Sequence, residues 1–501
     1  MRFLVQRPST RRRPPIEDRT PSTLEEPALR ERLHQIADWA ADYRRQVETY
    51  PVAPRVGPGD VAGQLGPRPP ETGDSVDEIL ADVDRIIVPG LTHWNHPGFF
   101  AWFASSASPP AMMAEAVIAA LGVNAMSWRT SPAATELEER VVSWLAQLAA
   151  LPAEFRGVIL DTASTSSFTA LVAAREALGI GVRDQGLAAR PELPRLTMYV
   201  SEHAHFSIGK AAMAAGIGLA NVRHVPVDDR YRMDVDELRR LLEEDRAAGA
   251  LPVMVCATIG TTSSTSVDPA GEIADVCEEH GVWLHVDAAY AGSAALLPEL
   301  RGEFDGWERA DSIVINPHKW LFTSLDCSVL LFRRAKVVRR SLALTAEYLS
   351  GEQSATDLMD YGLPLGRRFR ALKLWFVIRY YGAEGLRSLL RDHIAWAGQF
   401  AERLADDPRF ELAAPVPFST VCFRAIAPAG RDPDEWNRRL LEAVNSRGEV
   451  FLSDTELAGR RTLRLSVGSV NSTADHVRLA YDELSAAYDR LKHTLKQGEP
   501  E

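Results

Sequence analysis

The chain predicts an α/β protein, with a mostly parallel sheet covered by helices on both faces and a smaller α+β domain after it. Three observations carry this. Between about residues 155 and 335, short apolar runs alternate with helical stretches, the pattern of crossover connections between parallel strands. Most of the runs (157–160, 197–200, 222–225, 253–259, 282–286, 313–315 and 329–332) are apolar almost throughout, as strands buried on both faces are. Polar residues follow directly on several of them, where open α/β sheets bind ligands.

Taken in order, residues 1–24 are rich in Arg, Pro, Ser and Thr with little to bury, which predicts a disordered tail. Residues 29–47 predict a helix with Leu33, Ile36, Ala37, Ala40 and Tyr43 on one face. A Pro/Gly-rich stretch follows over 50–73, then a second helix over 75–87 carrying Val76, Leu80, Val83 and Ile87. Ser131-Pro132 is a helix start, serine as cap and proline at the first helical position. Its helix turns Leu137, Val141, Trp144, Leu145 and Leu148 inward. Within the alternating region the helices are expected over 168–178, 235–243 and 273–280. From 382 to about 491 longer helices combine with strands at 410–412, 421–424 and 462–466. The domains expected are therefore 1–24 (tail), 25–107 (helical), 108–381 (large α/β) and 382–495 (small α+β). No internal repeat is visible.

The bulk numbers exclude several classes. A net charge of -12 on 501 residues argues against a general nucleic-acid binder. Cys256, Cys277, Cys327 and Cys422 lack the spacing of a zinc site or disulfide frame and read as thiols in a reducing compartment. No apolar run approaches the roughly 18 residues of a membrane span, and the first residues lack a signal-peptide core. The expectation is a soluble, cytoplasmic protein without nucleic-acid or membrane partners.

The strand ends deliver an unusual polar set. Run 157–160 delivers Asp161-Thr162-Ala163-Ser164. Run 197–200 delivers His203-Ala204-His205, and run 253–259 delivers Gly260-Thr261-Thr262. Run 282–286 delivers Asp287-Ala288-Ala289-Tyr290, and run 313–315 delivers Asn316, His318 and Lys319. Lys319 lies between a buried strand and Trp320-Leu321-Phe322. Desolvation there lowers a lysine pKa from about 10.4 and frees the amine to attack an aldehyde; the alternative is a surface lysine at a loop tip. Asp287 ends an apolar run, which is costly unless it is paired. It reads as a partner for a protonated pyridine nitrogen or, less interestingly, as a cap or salt bridge. Thr162-Ala163-Ser164 opens a helix and can form a phosphate site or a plain cap. His205 can be a core histidine, a ring-stacking partner, or a metal ligand with His203; two histidines without a third ligand are poor evidence for zinc.

These residues permit a family resemblance. Asn316-Pro317-His318-Lys319-Trp320 resembles the signature of the group II decarboxylases that use pyridoxal 5'-phosphate (PLP), in particular the aromatic-L-amino-acid decarboxylases. So do Thr92-His93-Trp94-Asn95-His96-Pro97, Ser131-Pro132-Ala133-Ala134-Thr135-Glu136-Leu137-Glu138, His285-Val286-Asp287-Ala288-Ala289-Tyr290-Ala291-Gly292-Ser293 and Pro364-Leu365-Gly366-Arg367-Arg368-Phe369-Arg370. The likeness spans about residues 25–490. It implies PLP fold type I, the aspartate aminotransferase-like fold, with 25–107 as a dimerisation segment and 108–381 as the PLP-binding domain. Residue by residue, it implies that Lys319 forms the internal Schiff base, Asp287 pairs with the pyridinium nitrogen and His205 stacks on the ring. Thr262 would lie near the ring hydroxyl. Thr162, Ala163, Ser164, Asn316 and His318 would surround the phosphate, with Ala289 also at the cofactor.

The resemblance further implies a homodimer with shared active sites, in which a loop brings Tyr348 into the partner's site to protonate the carbanion after carbon dioxide leaves. Relatives with phenylalanine at that position tend to make aldehydes oxidatively, so Tyr348 points to a decarboxylase. The matched substrate-pocket positions are Trp94, Trp102, Ala104, Asn124, Met126 and Gly366. No metal is implied. The expected reaction is decarboxylation of an aromatic L-amino acid to its amine, with tryptophan and phenylalanine ahead of catechols. The rival readings are another PLP reaction, such as transamination or oxidative aldehyde formation, and a PLP-holding regulatory protein without turnover.

Overall fold

The structure, a computed structural model, describes residues 26–344 and 356–497. The N-terminal tail and Tyr348 lie outside the described residues. The chain divides into two units: residues up to 49 together with 56–90, and residues 50–55 together with all that follow 90.

In the first unit the helix Glu26–Gln46 is joined to the helix Val76–Asp82 by an Arg32–Asp77 ion pair at 3.1 Å. Just beyond that helix, Trp39 Nε1 donates to Asp84 at 2.8 Å. Ser75 caps Val76–Asp82 in a reciprocal box with Glu78. The helix expected over 75–87 is α-helical only to Asp82 and closes in a π-helical turn, Val83–Ile87. Leu29, Leu33 and Ile36 on the first helix stay exposed.

The second unit is built on seven strands: β1 (Arg156–Leu160), β2 (Leu196–Ser201), β3 (Val222–Val225), β4 (Leu251–Thr258), β5 (Trp283–Asp287), β6 (Ser312–Ile315) and β7 (Ser328–Phe332). They lie in the order β1-β7-β6-β5-β4-β2-β3, with β7 antiparallel to both neighbours and the other pairings parallel. The α/β expectation holds, and six of the seven strands finish at one edge. Alternate residues feed two cores, as the period of a strand requires. Ile159, Leu284, Val286, Ile313 and Leu331 enter one core, and Val158, Leu160, Trp283, Leu330 and Phe332 enter the other.

The smaller sheet runs β10-β11-β9-β8, all antiparallel: β8 (Phe410–Leu412), β9 (Thr420–Ala425), β10 (Ser453–Leu457) and β11 (Arg460–Ser466). The segment around Phe99 and Phe100 docks beside it through Phe100 N–H to Phe451 O and Ser466 N–H to Phe100 O, both 2.9 Å. The long helical stretch Ala371–Ala405 is interrupted at Gly382, whose φ of +67° only glycine adopts readily. All four cysteines are buried free thiols. No described helix is long and apolar enough to cross a membrane.

Candidate active site

Lys319 sits in a one-turn helix, Pro317–Trp320, that starts where β6 ends, with proline at its first position. Its Nζ lies 5.3 Å from the centre of the Phe103 ring. Phe103 stacks on Tyr290 at 3.8 Å, and Tyr290 stacks on Trp320 at 4.8 Å. A column of three rings therefore stands beside the lysine. Burial pushes the Lys319 pKa down, Arg464 pushes the same way and Asp287 opposes. That direction favours a free amine, the form that attacks an aldehyde.

Asp287 is the last residue of β5 and only 5% exposed. Its Oδ1 accepts the Ala289 N–H at 3.0 Å. His205, after β2, has Nδ1 accepting the Ser207 N–H at 3.2 Å, so the neutral ring carries its proton on Nε2. Burial holds its pKa down, as it does for His203. The His203 ring meets Tyr231 edge-on instead of sharing a centre with His205.

The helix after β1 runs Ala163–Ala177, opening at Thr162-Ala163-Ser164 and taking in the small residues Ala163-Ser164-Thr165-Ser166-Ser167 ahead of the stretch expected over 168–178. Thr162 stands at its cap and makes no side-chain capping bond. Asp161 Oδ1 accepts the Thr162 N–H at 2.8 Å. The first helical N–H groups are therefore left without a capping side chain and remain available to an anion. His318 accepts the Cys327 N–H on Nδ1 at 2.9 Å, leaving Nε2–H as a donor. Burial drives its pKa down to about 3, so the ring is neutral. Asn316 is 2% exposed, and its Oδ1 has no protein partner. Thr262 is exposed on the loop after β4. That loop turns at Gly260, where φ is +87° and an added Cβ would lie 2.5 Å from the Ala291 Cβ, so glycine alone fits.

Sequence reasoning missed Arg464. It projects from β11, is 2% exposed, and its guanidinium carbon lies 5.0 Å from the same Phe103 ring. Nε donates to Ser263 O at 2.7 Å and Nη1 to Ser453 Oγ at 3.2 Å, while Nη2 has no partner. A buried cationic N–H without an acceptor is costly and fits an anion brought by a ligand. The signal was present in the sequence: in the alternating run Thr462-Leu463-Arg464-Leu465-Ser466, arginine shares a face with two small hydroxyl residues.

The six pocket positions fall into two groups. Trp94 stacks on Trp102 at 5.6 Å, Trp102 backbone N–H donates to Ser453 Oγ, and Ala104 is buried against Gly468. Asn124 accepts the Arg367 N–H on Oδ1 at 3.0 Å and points Nδ2 at Met126 Sδ, and Gly366 opens toward that same Nδ2. Among the described residues no hydrogen bond or ring contact joins the two groups. Arg367 in turn forms a buried pair with Glu138 at 2.6 Å and donates to Ile159 O.

A deprotonation-prone buried lysine, a buried carboxylate, an uncapped helix start and two unpartnered polar atoms suit a flat, anionic aldehyde such as PLP. Residues 58–426 match the pyridoxal-dependent decarboxylase conserved domain. Tryptophan decarboxylase 1 of Oryza sativa subsp. japonica is 40% identical over 94% of this chain and 95% of its own length. Phenylacetaldehyde synthase of Arabidopsis thaliana is 39% identical over 93% and 96%. The crystal structure of Oryza sativa TDC with PLP and tryptamine superposes with a TM-score of 0.90 at 39% identity, covering 95% of this chain and all of that one.

Proposed function

Because this chain belongs to the pyridoxal-dependent decarboxylase family, we propose that it converts an aromatic L-amino acid to its amine and carbon dioxide through the residues gathered around Lys319. It is a PLP-dependent carboxy-lyase acting on aromatic amino acids. The roles of individual residues, the preferred side chain and the assembly are our own reading. The observation that carries it is the buried Lys319, its pKa held down by burial, with the Asp287 charge acting on it in the opposite sense.

Bound there, PLP supplies an electron sink for the bond between the α-carbon and the carboxylate. Lys319 is the residue that would hold the coenzyme's aldehyde group. Asp287 would keep a proton on the ring nitrogen, and His205 would offer its Nε2–H to the ring. The helix start at Ala163 and Ser164, with Thr162, Asn316 and His318, would hold the phosphate, with Ala289 and Thr262 assigned to the ring. Arg464 Nη2 orients the substrate carboxylate. The dry surroundings disfavour the ionised carboxylate relative to the neutral product. Tyr348 would then supply the proton at the α-carbon.

Trp94, Trp102, Ala104, Asn124, Met126 and Gly366 bound the side chain, with tryptophan and phenylalanine preferred. The exposed apolar residues Met113, Val117 and Leu121 on one helix, with Leu325, Leu363 and Leu365, support a homodimer with shared sites. Four unpaired buried thiols support a cytoplasmic setting.

The test is a panel of the twenty amino acids with amine and carbon dioxide as readouts. Aromatic substrates should give both in equal amounts. Aldehyde with peroxide as the main product would show the oxidative chemistry instead. Lys319→Ala should abolish the visible absorption of the bound coenzyme, and its retention would move the attachment to another lysine. Tyr348→Phe should divert carbon to aldehyde, and unchanged amine output would remove Tyr348 from the mechanism.

A further inference from the structure

Beneath the site lies a polar network that no step above uses. On β5 the side chains of Trp283, His285 and Asp287 share one face. His285 Nδ1 is 2.9 Å from Ser312 Oγ on β6, the residue directly opposite it. His285 Nε2 is 3.1 Å from Ser167 Oγ on the helix Ala163–Ala177. Trp283 Nε1 donates to the same Ser312 Oγ at 2.9 Å. An indole can only donate. Ser312 therefore accepts from Trp283 and has its own proton to give to His285 Nδ1, which leaves Nε2–H to donate to Ser167. This order gives every one of those three protons an acceptor. All four side chains are buried.

The placement is specific. Asp287 lies two residues beyond His285, about 7 Å along the strand. Ala163 lies four residues before Ser167, about 6 Å along the helix. The strand runs toward the site and the helix runs away from it. The His285–Ser167 bond is therefore a rung, set one step below both the carboxylate and the helix start.

We propose that His285 is a positioning residue whose bond to Ser167 sets the gap between Asp287 and the helix start, so that one coenzyme engages both its ring nitrogen and its phosphate. The inference rests on the roles given above to Asp287 and to the helix start. A histidine with two serine partners is a demanding way to fill a core, since each buried polar group must be paired. Aliphatic residues would fill the same volume without that requirement. What the network adds is a fixed distance between two elements that meet the ligand at opposite ends.

A rung of this kind matters only to a ligand long enough to touch both ends. Two linked contacts reinforce each other when their spacing matches the ligand, and a ligand with one contact does not feel the spacing. The experiment compares three probes on the PLP-depleted full-length protein: PLP, pyridoxal and inorganic phosphate. His285→Leu and Ser167→Ala remove the rung, the second with little risk to folding. His285→Gln keeps an N–H at the reach of Nε2. The expected result is a loss of PLP affinity of at least tenfold in His285→Leu, a smaller loss in Ser167→Ala, and recovery of most of it in His285→Gln. Pyridoxal and phosphate affinities should stay within twofold of wild type in all three. Unchanged PLP affinity in His285→Leu overturns the proposal. So does a parallel loss for all three probes, which would mark a general loosening of the site. A wild-type protein that takes up PLP, but no longer does so tightly in Asp287→Ala, keeps the underlying reading intact whatever the rung variants do. If Asp287→Ala binds PLP as wild type does, the reading fails and the inference with it.

Discussion

The indole N–H of Trp320 donates to Nδ1 of His393 at 3.0 Å, and both side chains are buried. Trp320 follows Lys319 directly and closes the aromatic column that also contains Tyr290 and Phe103. His393 belongs to the Ala371–Ala405 stretch, beyond the break at Gly382. One hydrogen bond thus ties the wall of the lysine site to a helix distant in sequence.

His393→Leu leaves the indole N–H buried without an acceptor, which costs about 1–3 kcal/mol. His393→Asn places an oxygen close to the position of Nδ1 and should recover most of that loss. Urea unfolding of the two variants checks the order. Equal stability in both would mean that packing, not the hydrogen bond, holds Trp320.

Acid should destabilise the protein through its buried histidines, while the buried Asp268, whose pKa burial raises to about 7, acts in the opposite sense. Burial lowers the pKa of His285 to about 4 and those of His318 and His393 to about 3, from 6.5 when exposed. Below pH 6.5 the unfolded chain binds protons that the folded chain refuses, so stability is full above that pH and falls as pH drops toward 3. Each group contributes about 1.4 kcal/mol per pH unit, and the three together about 4. Unfolding midpoints measured between pH 7.5 and 5 should fall steeply, and His393→Asn should make the slope shallower by one proton. A midpoint constant over that range contradicts the assignment.

The Glu138–Arg367 pair offers a second test of buried polarity. Glu138 Oε1 accepts from both Arg367 Nη2 and the Ile159 N–H, and Arg367 also holds Ala125 O. Removing one member leaves a charge buried alone, at about 3–5 kcal/mol. Glu138→Leu should lose that much, while Glu138→Leu with Arg367→Met should recover a large part of it. Because Arg367 N–H also fixes Asn124, the single variant should shift the preference among aromatic substrates as well. A double-mutant cycle with zero coupling would show that the pair is incidental.

Much of this was legible in the chain, for physical reasons that differ by element. The five inner strands of the large sheet, β2, β4, β5, β6 and β7, could be read because they are buried on both faces and therefore mostly apolar along their length. Strand β10 could not: Ser453-Asp454-Thr455-Glu456-Leu457 is mostly polar, and its pairing with β11 is set by tertiary contact. Lys319 and Asp287 could be found because each interrupts an apolar run. Arg464 lies on β11, far along the chain from Lys319, and comes to the same Phe103 ring only through the fold. The Trp320–His393 bond was hidden for the same reason, since nothing local marks which of the 12 histidines a buried indole will meet.

Arg464 gives the last prediction. Its Nε and Nη1 are taken by Ser263 O and Ser453 Oγ, so two of its three nitrogens are committed to structure and only Nη2 is left for a ligand. If Nη2 orients the substrate carboxylate, its loss should be felt by the amino acid and not by the amine, which has no carboxylate. Arg464→Met keeps length and apolar contact with Phe103 while removing the charge. A charge-assisted hydrogen bond in a buried site is worth about 1.5–3 kcal/mol, so affinity for the amino acid should fall about 10- to 150-fold. Affinity for the product amine should stay within about twofold. The two constants can be measured on one preparation from the change in coenzyme absorbance. Equal weakening of acid and amine would mean that Arg464 serves only to brace the Ser263 loop. No weakening of either would leave its unpaired nitrogen without a role in substrate binding.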